Sequence, residues 1–141
     1  IDDWSQNFGS DLDPRVIFFK NIKKFISKKN KFTIIEKDFR DIDYSSLKDF
    51  NIYFYDGAHH YQDHCDAISR VLPALSDKFI LIIDDWNWNQ VREGTIDSIK
   101  KEKLSILSSL EIKTTNDNSS SLVTGECSDW HQGCAFFVLK K

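Results

Sequence analysis

Short apolar runs rich in β-branched residues alternate along this chain with longer stretches in which apolar residues recur every three or four positions. The first helical stretch opens at Asp13, an N-cap residue followed by Pro14 at the first helical position, where an N–H has no intrahelical partner to lose. Phe18, Ile22, Phe25 and Ile26 then share one face, and the pattern predicts a helix ending near Asn30. Compact apolar runs over residues 32–36, 51–56 and 79–83 predict three strands. The last has almost no polar residue in its interior, and such continuity marks strands covered on both faces, as in a parallel sheet.

Between the second and third strands, residues 61–75 place Cys65, Ile68, Val71, Leu72 and Leu75 on one helical stripe, which makes this the crossover of a βαβ unit. Another helix is expected over 90–107, with Val91, Ile96, Ile99 and Leu104 as its buried side. Residues 110–115 and 134–139 are two further strand candidates, separated by the Asn- and Ser-rich loop 116–121. Two closing strands after three that alternate with helices suit an antiparallel addition at the edge of a parallel sheet. At 141 residues the chain is expected to form one α/β domain spanning 1–141.

Composition narrows the partners. With 40% hydrophobic and 29% charged residues the chain is ordinary globular material, so disorder throughout is excluded. A net charge of -3 argues against a nucleic-acid partner, which requires clustered cations, and the basic run over 20–31 reads as the solvated side of a helix. No stretch reaches the roughly 18 apolar residues that cross a bilayer. The chain opens with Ile1, Asp2 and Asp3 rather than with a basic and then apolar leader, so no membrane partner and a cytoplasmic location are expected. Cys65, Cys127 and Cys134 include no CxxC spacing and specify neither a disulfide framework nor a thiolate zinc site. Cys127 and Cys134 could face each other across a C-terminal hairpin, although disulfides are rare in the cytosol.

The candidate chemistry lies at strand ends. Asp56 closes one buried run, and Asp84 and Asp85 close the next. Ligands of open parallel sheets collect outside the carboxyl ends of the strands, so these three carboxylates converge on the functional edge. Hard oxygen donors there suit Mg2+ or a similar divalent ion. The plainer alternative is that one or two of them cap the following helices. The stretch DGAHHYQDHCD adds His59, His60 and His64. His60 and His64 stand four apart, as in many helical zinc sites, but the spacing specifies no third ligand, and the plainer reading is a surface helix with solvated histidines. His59 and His60, at the strand-to-helix turn, are the candidate general bases, since imidazole takes up protons near neutral pH. Trp86 and Trp88 suit either the wall of an acceptor pocket or core packing.

The runs YFYDGAHHYQDHCDAI and FILIIDDWNWNQVREGT resemble the small class I S-adenosylmethionine-dependent methyltransferases that include macrocin-type and other sugar or natural-product O-methyltransferases. IDDWSQNFG is similar to the end of that family's second strand, and IIEKDF to its third strand and following turn. The resemblance implies a Rossmann-like sheet, mostly parallel with an antiparallel C-terminal strand, whose first strand and glycine-rich loop would precede Ile1. None of the five glycines forms a GxGxxG pattern. A central gap in the sheet would be left open, closed by the remaining strands, or filled by a second chain, so a homo-oligomer is one expectation.

The resemblance further implies that Asp2 binds the ribose hydroxyls of S-adenosylmethionine and that Asp38 and Phe39 lie beside the adenine. Asp56 would border the cofactor and, with Asp84 and Asp85, hold the metal. His59 falls three residues after Asp56, where related catechol-type enzymes carry a catalytic lysine. The acid that many sugar-modifying members place two residues after the first carboxylate is here Ala58. The expected reaction is methyl transfer to the hydroxyl of a small-molecule acceptor. Two other readings are a methyltransferase-like binding module without catalysis and a metal-dependent hydrolase using His60 and His64.

Overall fold

The computed structural model describes residues 1–5, 13–27, 29–121 and 130–141. Two compact units divide them, Ile1–Ile42 and Asp43–Lys141. Cys127, one half of the conceivable cysteine pair, lies outside the described residues, whereas Cys65 and Cys134 are buried free thiols.

In the first unit, helix α1 spans Pro14–Phe25. Asp13 caps it by accepting from the Arg15 N–H at 2.9 Å, and Ile26 leaves the helix in an extended conformation, so the helix ends short of Asn30. Trp4, Phe18, Phe19 and Phe32 form its aromatic cluster, with the Trp4 and Phe18 rings 5.2 Å apart. Arg15 pairs with Glu36, which also accepts from the Trp4 indole at 3.0 Å. The expected strand 32–36 is a correction. It joins no ladder among the described residues, and a single backbone bond, Asp2 N–H to the Ile35 carbonyl at 3.1 Å, ties it down. β-branched composition suits a strand but does not supply the neighbour that makes one.

The second unit is an α/β sheet of four strands, β1 Phe50–Tyr55, β2 Leu75–Asp84, β3 Ser105–Ile112 and β4 Cys134–Lys140, in the order β1-β2-β4-β3. β1 runs parallel to β2, and β4 lies antiparallel between β2 and β3. Thus β1, β2 and β3 point one way and the C-terminal strand opposes them, inserted inside the sheet rather than added at its edge. Helix α2, Tyr61–Val71, links β1 to β2, and helix α3, Asn89–Lys101, links β2 to β3.

Two boundaries differ from the sequence pattern for identifiable reasons. Residues 105–107, assigned to the helix, begin β3 instead, because α3 closes in a Schellman turn: Leu104 N–H reaches the Ile99 carbonyl, Lys103 N–H reaches Lys100, and Lys103 takes φ +55°. A lysine there gives no glycine signal. Leu75, placed on the α2 stripe, opens β2 after a short 3-10 turn over Leu72–Ala74 that contains Pro73.

The core sits on one face of the sheet. Tyr55, Phe79, Leu81, Ile83, Phe137 and Leu139 point into it and are buried, and the Tyr55 ring meets His64 of α2 edge-on at 5.0 Å. Each such side chain contributes roughly 1.5–3 kcal/mol by leaving water. α3 packs along α2 closely enough that a Cβ on Gly94 would stand 2.4 Å from the Tyr61 carbonyl oxygen. Ser98 Oγ donates to the Cys65 carbonyl at 3.2 Å in the same seam. The other face corrects the expectation of strands covered on both sides. Ile52, Phe54 and Leu110 are more than half exposed, at 56%, 55% and 59%, and Phe50, Ile80 and Val138 share that open surface.

Candidate functional site

The parallel pairing of β1 and β2 sets Tyr55 beside Ile83, so Asp56, which follows β1, and Asp84 and Asp85, which end and follow β2, stand at one rim of the sheet. Helices α2 and α3 both begin at that rim, as the crossover geometry of such units requires. Asp85 then turns into the left-handed region at φ +56°. This bend brings its carboxylate to the imidazole that the first crossover loop carries.

Asp56, His59 and Asp85 offer one ligand atom each, all within 4.8 Å of one another. His59 Nε2 lies 2.6 Å from Asp85 Oδ2, off the axis of an ideal hydrogen bond. Hydrogen bonds at catalytic centres are commonly misaligned until substrate closes on them. Contact with the Asp85 carboxylate raises the His59 pKa above its ordinary value, against the effect of burial, and Asp56 and Asp84 add to it. Burial, followed by the charges of Asp84 and Asp85, pushes the Asp56 pKa up, while His59 opposes the shift. A carboxylate so crowded is stabilised by any cation placed among its neighbours.

The remaining sequence candidates occupy different surroundings. Asp84 lies near enough to act on the charge of Asp56 but stands outside the three-residue group. His60 is the N-cap of α2: its backbone N–H and Nδ1 both engage Asp63 Oδ2, at 3.1 and 2.9 Å, while the rest of the ring reaches solvent. His64 faces the opposite way. It is 1% exposed, its Nδ1 lies 3.3 Å from Thr95 Oγ1, and its Nε2 is buried without a hydrogen-bond partner. Burial, then the nearby charge of His59, lowers its pKa to about 4. His60 therefore does not share a helical face with His64, because a cap residue has already left the helical backbone.

In the first unit, the Asp2 carboxylate accepts from the Trp4 N–H at 2.7 Å and borders a hollow of about 140 Å³ walled by Trp4, Phe18, Phe32 and Ile34. Asp38 caps a 3-10 turn over Phe39–Asp41, accepting from the Arg40 N–H at 2.7 Å, and the Arg40 guanidinium stacks over the Phe39 ring at 4.4 Å.

The sequence reading missed the framework around the carboxylate pair. Trp86 and Asn87 are buried, at 1% and 0% exposure, which makes Trp86 a core residue, its ring edge-on to Phe137. The Asn87 side chain donates to Thr114 Oγ1 and the Ser119 carbonyl and accepts from Thr114 N–H. An Asn between two tryptophans in DDWNW was the available signal, since a polar residue in an apolar setting announces a committed hydrogen-bond set.

Against known proteins, the chain matches no protein-family model and no curated protein sequence. Fold and site nevertheless define a class: an open mixed α/β sheet with a carboxylate–imidazole cluster at the rim of its parallel pair. Among the described residues no helix is long and apolar enough to cross a membrane.

Proposed function

We propose that this chain is an S-adenosylmethionine-dependent methyltransferase with a Rossmann-like sheet, acting on the hydroxyl of a small molecule or sugar with a divalent cation at the rim. The observation that carries the reading is the convergence of Asp56, His59 and Asp85 at the carboxyl end of the parallel pair. An antiparallel final strand agrees with it.

Asp56 and Asp85 would hold the cation, with Asp84 adding charge next to them, and carboxylate oxygens suit Mn2+ as well as Mg2+. The cation supplies Lewis acidity toward an acceptor oxygen, and S-adenosylmethionine supplies an electrophilic methyl group. His59 takes up the acceptor's proton, and Asp85 stabilises the imidazolium that results. His60, committed to capping α2, serves the loop geometry.

Thermal-shift and calorimetric titrations of the chain test the reading. S-adenosylmethionine and Mn2+ should each raise Tm, by an amount that grows with ligand concentration. Asp85→Asn should abolish the Mn2+ shift and leave the S-adenosylmethionine shift in place. No heat and no shift with millimolar S-adenosylmethionine would sink the proposal.

A further inference from the structure

Two neighbours of the His59 imidazole come from the turn that follows β2. Asp85 meets Nε2 at 2.6 Å, and the Trp88 indole stands edge-on to the ring, with centroids 4.8 Å apart and planes at 79°. The indole is anchored in turn, since Trp88 Nε1–H donates to Gln132 Oε1 at 3.1 Å. Gln132 grips the same turn again: its backbone carbonyl accepts from Asn87 N–H at 2.6 Å, and its side-chain amide donates to Ser120. Gly133 completes the grip, accepting from Trp86 N–H at 3.3 Å. It holds φ +81°, where a Cβ would stand 2.5 Å from the Ile112 carbonyl oxygen and 2.7 Å from Asn87 Oδ1, so only glycine fits.

A histidine in a crossover loop has side-chain rotamers that would swing its ring away from Asp85. The indole packs edge-on against the ring, and Gln132 holds the indole by its N–H. We propose that Trp88, anchored by Gln132, is a positioning residue that keeps the Nε2 edge of His59 on the Asp85 carboxylate. The partner of one ring nitrogen decides where the proton of a neutral imidazole resides. With the proton at Nε2, facing Asp85, the acceptor lone pair is at Nδ1. This deepens the reading above and rests on it for the use made of the imidazole, while the arm itself rests on the contacts just described.

Long-range 1H–15N NMR of the whole 141-residue chain reads the tautomer of His59 directly. In the unsubstituted protein the neutral ring should show a single state with the proton on Nε2. Trp88→Phe, which keeps an aromatic edge but loses the N–H that Gln132 holds, and Trp88→Ala should both relax it to a mixture of both tautomers. An unchanged single tautomer in Trp88→Ala, or a proton on Nδ1 in the unsubstituted chain, overturns the inference. Should Trp88→Ala fail to fold, Gln132→Ala decides, because it removes the anchor and leaves the indole in place: a mixed state supports the arm and an unchanged one overturns it. Titration with S-adenosylmethionine and Mn2+ is scored separately. A chain that binds neither but shows the fixed tautomer keeps the arm and loses the methyltransferase reading, and one that binds both with a mixed ring loses the arm.

Discussion

His64 and His59 are five positions apart and electrostatically opposite. His59 gains a carboxylate and its pKa rises, whereas His64 is packed between Tyr55 and Thr95 and its pKa falls to about 4. The consequence for stability has a definite sign. Below 6.5 the unfolded chain takes up a proton at this residue that the folded chain refuses until about 4. Stability is therefore lost as pH falls through that window, by about 3 kcal/mol from this one group. His64→Gln keeps a hydrogen-bonding side chain without the titration, and its urea midpoint should change less between pH 7 and pH 5 than that of the unsubstituted protein. Equal changes in the two proteins would show that His64 does not stay neutral in the fold. The burial of His64 was legible, since it shares the stripe of Cys65, Ile68 and Val71, but the polarity of imidazole suggested a solvated helix surface, and the 1% exposure of His64 corrects that expectation. Its spacing from His60 looked like a zinc pair only under the assumption that both residues were helical.

At the scale of elements, periodicity located α2, α3 and β2 because each buries a continuous stripe, and a buried stripe leaves a trace in the sequence; β1, which buries only Tyr55, showed through its apolar run alone. Residues 32–36 left a similar trace without becoming a strand, since pairing depends on a neighbour and a run of β-branched residues does not encode one. The same limit applies to the faces of the sheet. FILII is apolar on both sides, yet Phe79, Leu81 and Ile83 are buried and Ile80 stands 37% exposed. Substitution distinguishes the two surfaces: Phe137→Ala should cost about 3–5 kcal/mol of unfolding free energy. Phe54→Ser, on the open side, should cost no more than about 0.5 kcal/mol. Comparable losses from chemical denaturation of the two variants would mean that the open face is covered in solution. The site shows a similar division. Asp56 and Asp85 were legible from strand ends, but Gln132, 44 positions from the Trp88 it anchors, was not, because nothing local links a loop glutamine to a distant indole.

The two units of the molecule differ in how much they bury. No described residue of Ile1–Ile42 is fully buried, and Val16 and Phe25 of α1 are 61% and 72% exposed. Asp43–Lys141 holds the whole of the buried core. Resistance to local opening follows buried contacts, so the amides of α1 should exchange with solvent much faster than those of α2 and α3. Hydrogen exchange followed by mass spectrometry reads this directly, and equal protection in α1 and α2 would contradict it. An amide pattern in α1 that slows sharply with S-adenosylmethionine would also connect Asp2, Asp38 and Phe39 to ligand, which their geometry alone does not do.

The left-handed backbone at Asp85 has an evolutionary corollary. A residue with a β-carbon pays about 1 kcal/mol to stand there, and glycine would stand there freely. Screening for heat tolerance alone would thus drift toward glycine at 85, yielding a hardier protein stripped of the carboxylate that its imidazole faces. Retention of aspartate under such pressure would be a sign that the chain is being kept for its chemistry rather than for its shape.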